Sequence, residues 1–344
     1  MAKKDKLDYP ALIKELRSNG PGQLYLLWGE EDYLREQFTS ALRRACLGEE
    51  DDGFDLKRFD AAAPDVRLVR EAVDAMPFFS ERIYVELRGF DINKCRAEDA
   101  EAFREIFSDL PVYCTVAILL PAGYEPDGRL ALYKTIKKYG RAVEFTAQGQ
   151  AQLVRWIQRR AEAGGKVVGR EEAEYLIFNC GELMSRLSNE IAKLVHFAKE
   201  DRITRQDIDA VTDRVPEANV FRMTDALSRG DYDTAAGLLA ELLRQRESPI
   251  MLLAMMGRQF RQLYAARLAL DNNLGRDYVA QVCDIKMDFL TRKLMDAARG
   301  FRLRQLVRAV ELCAETDYAL KSSGADDEAL LCDLLLKLAL EEKQ

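Results

Sequence analysis

The first 145 residues alternate short apolar runs with segments in which apolar side chains recur every three or four positions. Short apolar runs predict buried strands, and the three-to-four spacing predicts amphipathic helices. The strands are expected at residues 25–28, 56–59, 83–87, 115–120 and 142–145, and intervening helices at residues 66–76, 96–107 and 129–139. A further helix follows the first strand, with Leu34, Phe38, Leu42 and Cys46 at helical spacing. This alternation predicts an α/β domain built on a mostly parallel sheet.

After Thr146 the strand pattern stops, and helical spacing continues to the end of the sequence. Helices are predicted at residues 151–163, 170–180 and 182–199, and another begins at Thr204, whose hydroxyl can pair with Asp207 in a capping box. Beyond Pro216, helices are predicted at residues 220–228, 232–246, 249–270, 287–299, 302–320 and 326–342. We therefore expect an α/β domain at residues 1–146, a small helical domain at residues 147–213 and an all-α domain at residues 214–344.

The turn after the first predicted strand lies where a nucleotide-binding protein would carry its phosphate loop. Such a loop needs G-x-x-x-x-G-K-[ST], because backbone N–H groups and a lysine hold the phosphates and a hydroxyl holds magnesium. Here Gly29 is followed by Glu30, Glu31 and Asp32, with no second glycine, lysine or hydroxyl at that spacing. These acids place negative charge at a helix N-terminus, the end that otherwise attracts an anion. Whether or not they do more than cap the helix, they exclude a bound triphosphate.

Composition limits the remaining classes of function. The 344 residues are 48% hydrophobic and 32% charged, which is ordinary for a soluble globular protein. A net charge of -7 argues against a protein that grips nucleic acid alone by charge. The N-terminal residues lack an apolar signal core, and the longest apolar stretch, residues 250–256, is too short to span a bilayer, so a cytoplasmic protein is expected.

Residues that commonly form metal or catalytic sites are sparse. The seven cysteines form no C-x-x-C pair, and His196 is the only histidine. We therefore predict no disulfide framework, no metal site, no catalytic triad and no cofactor. The strand at residues 83–87 carries Glu86 but lacks the acidic pair that an ATPase would use to hold magnesium.

The segment EAVDAMPFFSERIYVEL, residues 71–87, is the strongest candidate interaction site. Pro77 ends a helix, and the adjacent aromatics Phe78 and Phe79 stand on the turn before the next strand. Two neighbouring rings on a short turn do not easily point into one core, so at least one is expected to face outward, where an aromatic anchor can dominate an interface. The alternative is that both rings fill the end of the sheet.

The order of several segments resembles the delta subunit of the bacterial DNA polymerase III clamp loader. They are LYLLWGEEDYLREQ, AMPFFSERIYVEL, ALYKTIKKYG, RWIQRRAEAGGKVVGREEAEYLI and GELMSRLSNEIAKLVHFA, and together they extend the resemblance over essentially the whole chain. The resemblance implies an N-terminal AAA+-like domain without a phosphate loop, a helical lid and a C-terminal helical collar. These three parts agree with the organisation predicted from the residues.

The resemblance also implies a function without intrinsic catalysis, within the DNA polymerase III holoenzyme. Such a protein opens, or holds open, one interface of the sliding clamp (the beta subunit) so that loader ATPases can place the ring on primed DNA. Its other partners would be those ATPase subunits and the delta-prime subunit, with no membrane partner. The hydrophobic tip that binds the clamp maps onto Met76, Pro77, Phe78 and Phe79, although the family often has a Leu-Phe pair where this chain has Phe78 and Phe79.

The lid and the basic residues add further expectations. ATP-hydrolysing relatives commonly carry G-x-x-R at a lid helix, whereas this chain has Met184 at that place, with Arg186 pointing elsewhere. Lysines and arginines that would face DNA inside a loader are Lys134, Lys137, Lys138, Arg155, Arg159, Arg160 and, in a loop before the last helix, Lys321. A solvated helix face is the simpler explanation of these charges.

Two alternatives stay open for the whole protein: a nucleoside triphosphatase with a degenerate loop, and an adaptor that binds DNA alone.

Overall fold

The computed structural model describes residues 9–49, 53–121, 123–322 and 324–340. The chain divides into two compact units, residues 1–148 and residues 149–344. The first unit is the α/β part of the sequence and the second is the helical part, which confirms the predicted fold class. The finer division at residue 213, between lid and collar, stays a prediction.

A five-stranded parallel sheet forms the centre of the first unit. Its strands are β1 (Leu24–Gly29), β2 (Leu56–Asp60), β3 (Ile83–Arg88), β4 (Cys114–Leu119) and β5 (Arg141–Phe145), in the order β2-β3-β4-β1-β5. All four neighbouring pairs are parallel. The inner strands are buried on both faces, as their continuous apolar sequences require. The predicted strands are therefore confirmed to within a residue at each end.

Helices cover this sheet. They are α1 (Tyr9–Asn19), α2 (Asp32–Leu47), α3 (Val66–Asp74), α4 (Ala97–Ser108) and α5 (Ala131–Tyr139). The sequence did not predict α1. The predicted helix at residues 66–76 is too long, because Ala75 is already extended and the chain leaves the helix two residues before Pro77. The apolar faces of α3, α4 and α5 pack on the strands, and Phe90, Phe103 and Phe107 form an aromatic row within that core.

The second unit begins with α6 (Gln150–Ala163), α7 (Arg170–Cys180), α8 (Met184–Phe197) and α9 (Arg205–Val211). The expectation that strands stop after Thr146 is wrong in detail, since β6 (Val167–Val168) pairs in parallel with β7 (Arg202–Ile203). Two-residue strands carry too little sequence for a periodicity to appear. The predicted capping box is confirmed: the backbone N–H of Asp207 donates to Oγ1 of Thr204 at 3.3 Å, and that of Thr204 donates to Oδ2 of Asp207 at 2.8 Å.

The rest of the second unit is helical. It contains α10 (Pro216–Ser228), α11 (Tyr232–Arg244), α12 (Pro249–Asp271), α13 (Arg276–Val282), α14 (Asp288–Arg299), α15 (Leu303–Ser322) and α16 (Asp327–Leu340). The long helix α12 runs through the core and packs against α10, α14 and α15. The short helix α13 was not predicted, and the predicted end of the last helix at residue 342 lies outside the described residues. Phe178 of α7 contacts the rings of Phe221 and Phe289, so α6–α9 and the later helices share one compact body.

Two further observations concern cysteines and membranes. Cys46, Cys114, Cys180 and Cys313 are buried, and the cysteines are free thiols. In the part of the chain that the structure describes, no helix combines the length and the apolar composition needed to cross a bilayer.

Candidate functional site

The turn at residues 76–79 presents its apolar side chains to solvent. The exposed fractions are 74% for Met76, 77% for Phe78 and 64% for Phe79. The two rings contact each other edge to face, with centroids 4.6 Å apart. The prediction that at least one ring faces outward is confirmed, and the alternative that both rings fill the end of the sheet is wrong.

A buried carboxylate holds this turn in place. Asp55 precedes β2 and is 2% exposed. Its Oδ1 accepts a hydrogen bond from the backbone N–H of Phe78 at 2.8 Å, and its Oδ2 accepts from the N–H groups of Phe79 at 2.9 Å and Ser80 at 2.7 Å. The backbone N–H groups of an exposed turn normally donate to water, whereas here one side chain accepts from three of them. These hydrogen bonds fix the backbone directly beneath the two exposed rings.

These hydrogen bonds decide the charge of Asp55. Burial by itself raises the pKa of the Asp55 carboxyl, but the N–H groups of Phe78, Phe79 and Ser80 outweigh it and lower the pKa below its ordinary value. The carboxyl is therefore ionised near neutral pH, as an acceptor of three donors must be.

A third exposed ring joins the turn from another part of the chain. Phe54 is 63% exposed, and its ring centroid lies 5.5 Å from that of Phe79 and 6.4 Å from that of Phe78. We call Phe54, Phe78 and Phe79 the three-ring cluster. The sequence analysis missed both Phe54 and Asp55. Both residues could have been found only by assuming that β2 pairs with β3, since the residues that precede two parallel neighbouring strands meet at one edge of the sheet.

At the opposite edge of the sheet, the phosphate-loop position is closed by the chain itself. Gly29 has a φ of +122°, and a Cβ added there would lie 2.2 Å from the carbonyl oxygen of Phe145. The backbone N–H of Glu31 donates to the same oxygen at 3.0 Å. Glu31 is buried and caps α2 by accepting from the N–H of Tyr33 at 3.3 Å. The helix end that would receive a phosphate is thus occupied by the protein's own acid.

Neighbouring groups at this edge are also engaged with one another. The guanidinium of Arg35 donates to Oδ1 of Asp32 at 2.6 Å and to the carbonyl oxygen of Leu120 at 3.3 Å.

Glu86, buried in β3, pairs with Arg58 at 3.0 Å and with Arg88. Both carboxylate oxygens of Glu36 accept from Arg88, at 2.7 and 2.8 Å. The Arg88 hydrogen bond lowers the pKa of Glu36 and so keeps that carboxylate charged. Arg58 and Arg88 both donate to Oε1 of Glu86, whereas its buried Oε2 has no hydrogen-bond partner among the described residues.

Met184, Arg186 and His196 all lie on α8. Met184 is the first residue of α8 and is buried, and the guanidinium of Arg186 donates to the carbonyl oxygen of Asp213 at 3.1 Å. His196 is exposed on α8. Among the described residues, no three His, Cys, Asp or Glu side chains come together to hold a metal ion.

The basic candidates lie on helices. Lys134, Lys137 and Lys138 are exposed on α5, and Arg155, Arg159 and Arg160 are exposed on α6. The placement of Lys321 in a loop is wrong: it lies in the last turn of α15, where its ammonium pairs with Asp317 at 2.7 Å, and the helix continues through Ser322. DNA contact by any of these residues stays a prediction.

Both units of the chain are similar to known proteins. One family profile, described as DNA polymerase III, delta subunit, matches residues 25–147, and a second, for the C-terminal domain of the same protein family, matches residues 217–338. The chain is 26% identical over 337 residues to the DNA polymerase III subunit delta of Bacillus subtilis, covering 96% of both chains. It is 22% identical over 204 residues to a probable DNA polymerase III subunit delta of Aquifex aeolicus, covering 59% of this chain and 58% of the relative.

A solved structure also shares the fold. The DNA clamp loader delta protein of Bacillus subtilis superposes with a TM-score of 0.56 at 24% identity, covering 96% of this chain and 99% of that chain. The fold and the closed phosphate-loop position define an α/β domain with a parallel sheet and no phosphate loop, joined to a helical body. Within that class, the chain belongs to the DNA polymerase III delta-subunit family.

Proposed function

We propose that this protein binds a sliding clamp through the turn at residues 76–79 and opens, or holds open, one interface of that ring. The observation that carries the proposal is the exposure of Phe78 and Phe79 on a turn fixed by Asp55. Exposed aromatic anchors on a rigid support are typical of the central contacts of protein interfaces. Membership of the delta-subunit family supports a clamp as the partner.

In this proposal the protein works inside a clamp loader without hydrolysing ATP. Other subunits, including loader ATPases and a delta-prime subunit, would supply nucleotide chemistry, and the assembled complex would place the clamp on primed DNA. The closed turn at Gly29 and the paired carboxylate of Glu86 favour this division of work over a degenerate triphosphatase. The acidic net charge of -7 disfavours an adaptor that binds DNA alone.

The test is a double variant, Phe78→Ala/Phe79→Ala, measured against the sliding clamp of the same organism. We expect clamp affinity to fall by at least about 100-fold, since each ring is placed as an interface anchor. Circular dichroism and the unfolding temperature should stay at wild-type values, because both rings are exposed. Wild-type clamp affinity in this variant would contradict the proposal.

Two titrations separate the alternatives. Micromolar binding of ATP with magnesium to the isolated protein would favour the triphosphatase. Salt-sensitive binding of the isolated protein to primed DNA would favour the adaptor. We expect neither.

A further inference from the structure

We infer that the clamp-contacting surface is made by two separate chain segments, with Phe54 as a third direct contact and Asp55 as the residue that positions all three rings. This inference rests on the proposed function and names residues that the turn at 76–79 does not contain.

The three-ring cluster is a continuous apolar surface. Phe54 stands edge to face with Phe79, with an interplanar angle of 71°, and tilts by 30° against Phe78. Each ring is more than half exposed. Large apolar side chains that lie together on a protein surface mark an interaction site, whereas single exposed apolar side chains are common. A partner that covers Phe78 and Phe79 must therefore also approach Phe54.

Asp55 joins the two segments rigidly. Its carboxylate accepts from the turn, while its own backbone oxygen accepts from the N–H of Tyr84 at 2.9 Å. The residue beside Phe54 is thus tied both to the turn and to the start of β3. This arrangement fixes the spacing of the rings before a partner arrives, which removes much of the ordering cost from binding.

The arrangement specifies the kind of partner. It fits a protein surface with an apolar recess wide enough for three aromatic rings, and the long side chain of Met76 adds an adaptable apolar contact beside them. A peptide that carries only residues 71–87 would lack both Phe54 and Asp55.

The first experiment measures clamp affinity of full-length Phe54→Ala. We expect a loss of about tenfold, with the unfolding temperature unchanged. The matched control is Phe197→Ala, the same substitution at a ring that is 51% exposed on α8, and it should leave clamp affinity at the wild-type value. Wild-type affinity in Phe54→Ala would overturn the inference.

The second experiment compares Asp55→Ala with Asp55→Asn, both of which keep all three rings. We expect Asp55→Ala to weaken clamp binding and to speed amide hydrogen exchange at Phe78, Phe79 and Ser80, whereas Asp55→Asn keeps one acceptor oxygen and should lose less of both. A purely structural role would lower the unfolding temperature but leave the clamp affinity of the folded molecules unchanged, and that result would refute positioning. If Asp55→Ala does not fold, Phe54→Ala and Asp55→Asn decide the question.

The two proposals fail separately. Wild-type affinity in Phe78→Ala/Phe79→Ala would remove the proposed function itself. A loss in that double variant together with wild-type affinity in Phe54→Ala would leave the function intact and overturn only the inference.

Discussion

At the carboxyl edge of the sheet, the buried acid Glu31 accepts one backbone hydrogen bond, from Tyr33, whereas at the amino edge the buried acid Asp55 accepts three, from Phe78, Phe79 and Ser80. Burial raises the pKa of both carboxyl groups. For Glu31 burial prevails, helped by the neighbouring charge of Asp32, and the pKa is raised. For Asp55 the three hydrogen bonds prevail over burial, and the pKa is lowered.

The difference shows how one sheet supports two opposite surfaces. At the carboxyl edge the chain turns inward, and an acid, Arg35 and the Phe145 carbonyl fill the place of a nucleotide phosphate. At the amino edge an acid fixes the backbone of a turn that carries exposed aromatic rings. Both acids are buried, so the opposite directions of their pKa shifts come from the number of backbone N–H groups that donate to each.

The largest effect on stability is expected at Gly29, where the carboxyl edge of the sheet leaves least room for a side chain. Gly29→Ala would place a Cβ 2.2 Å from the Phe145 carbonyl oxygen at a φ of +122°, so we expect unfolding free energy to fall by at least about 3 kcal/mol. Urea-induced unfolding measures this. Clamp affinity of the folded protein should not change, because the rings lie at the other edge.

Gly48→Ala is the matched control for that variant. Gly48 also has a positive φ, +87°, but a Cβ there meets nothing within 4 Å. It should cost about 1–2 kcal/mol, from backbone strain alone. An equal cost at both glycines would show that close approach to Phe145 does not matter at the closed edge.

The second largest effect is expected at low pH, where protonation of Asp55 weakens its hold on the turn at residues 78–80. Since the folded pKa of Asp55 lies below its unfolded value of about 3.9, its contribution is complete above that pH and disappears as pH falls through the folded pKa. We expect the amides of Phe78, Phe79 and Ser80 to exchange faster, relative to the rest of the sheet, as pH falls below about 4. Asp55→Asn should remove this pH dependence, and its persistence in that variant would assign it to another group.

The smallest effect is expected at Glu31. Because the folded pKa of Glu31 is raised, the charged form carries a penalty that is complete above the folded pKa and vanishes below the unfolded value of about 4.3. Glu31→Gln keeps an acceptor oxygen for Tyr33 and removes the charge. We expect a gain of less than about 1 kcal/mol in unfolding free energy at pH 7, with none at pH 3. A loss of stability at pH 7 would mean that the negative charge at the start of α2 outweighs the cost of burial.

Local patterns predicted most of the fold. Continuous apolar runs located all five strands of the main sheet, because a strand buried on both faces has no polar face to interrupt it. The capping box at Thr204 was readable because both partners lie three residues apart. The two-residue strands β6 and β7 and the short helix α13 were missed, since they are shorter than any period that reveals them.

The candidate site was predicted only in part. Phe78 and Phe79 were found because they are neighbours on a proline-containing turn, and their role as clamp contacts stays a prediction. Phe54 and Asp55 lie more than twenty residues earlier and reach the turn only through the pairing of β2 with β3. Lys321 was placed in a loop because the serine and glycine after it are typical of turns, but α15 extends through Ser322.

Short stretches of sequence were enough to predict the α/β and helical parts of the chain, the missing phosphate loop and the adjacent rings at residues 78 and 79, because each depends on side chains that are close along the chain. The three-dimensional structure was needed to show that both rings are exposed, that Phe54 joins them and that Asp55 holds the turn beneath them. Those outcomes depend on which donors, acceptors and rings the parallel register of the sheet brings together, and no local pattern encodes that register.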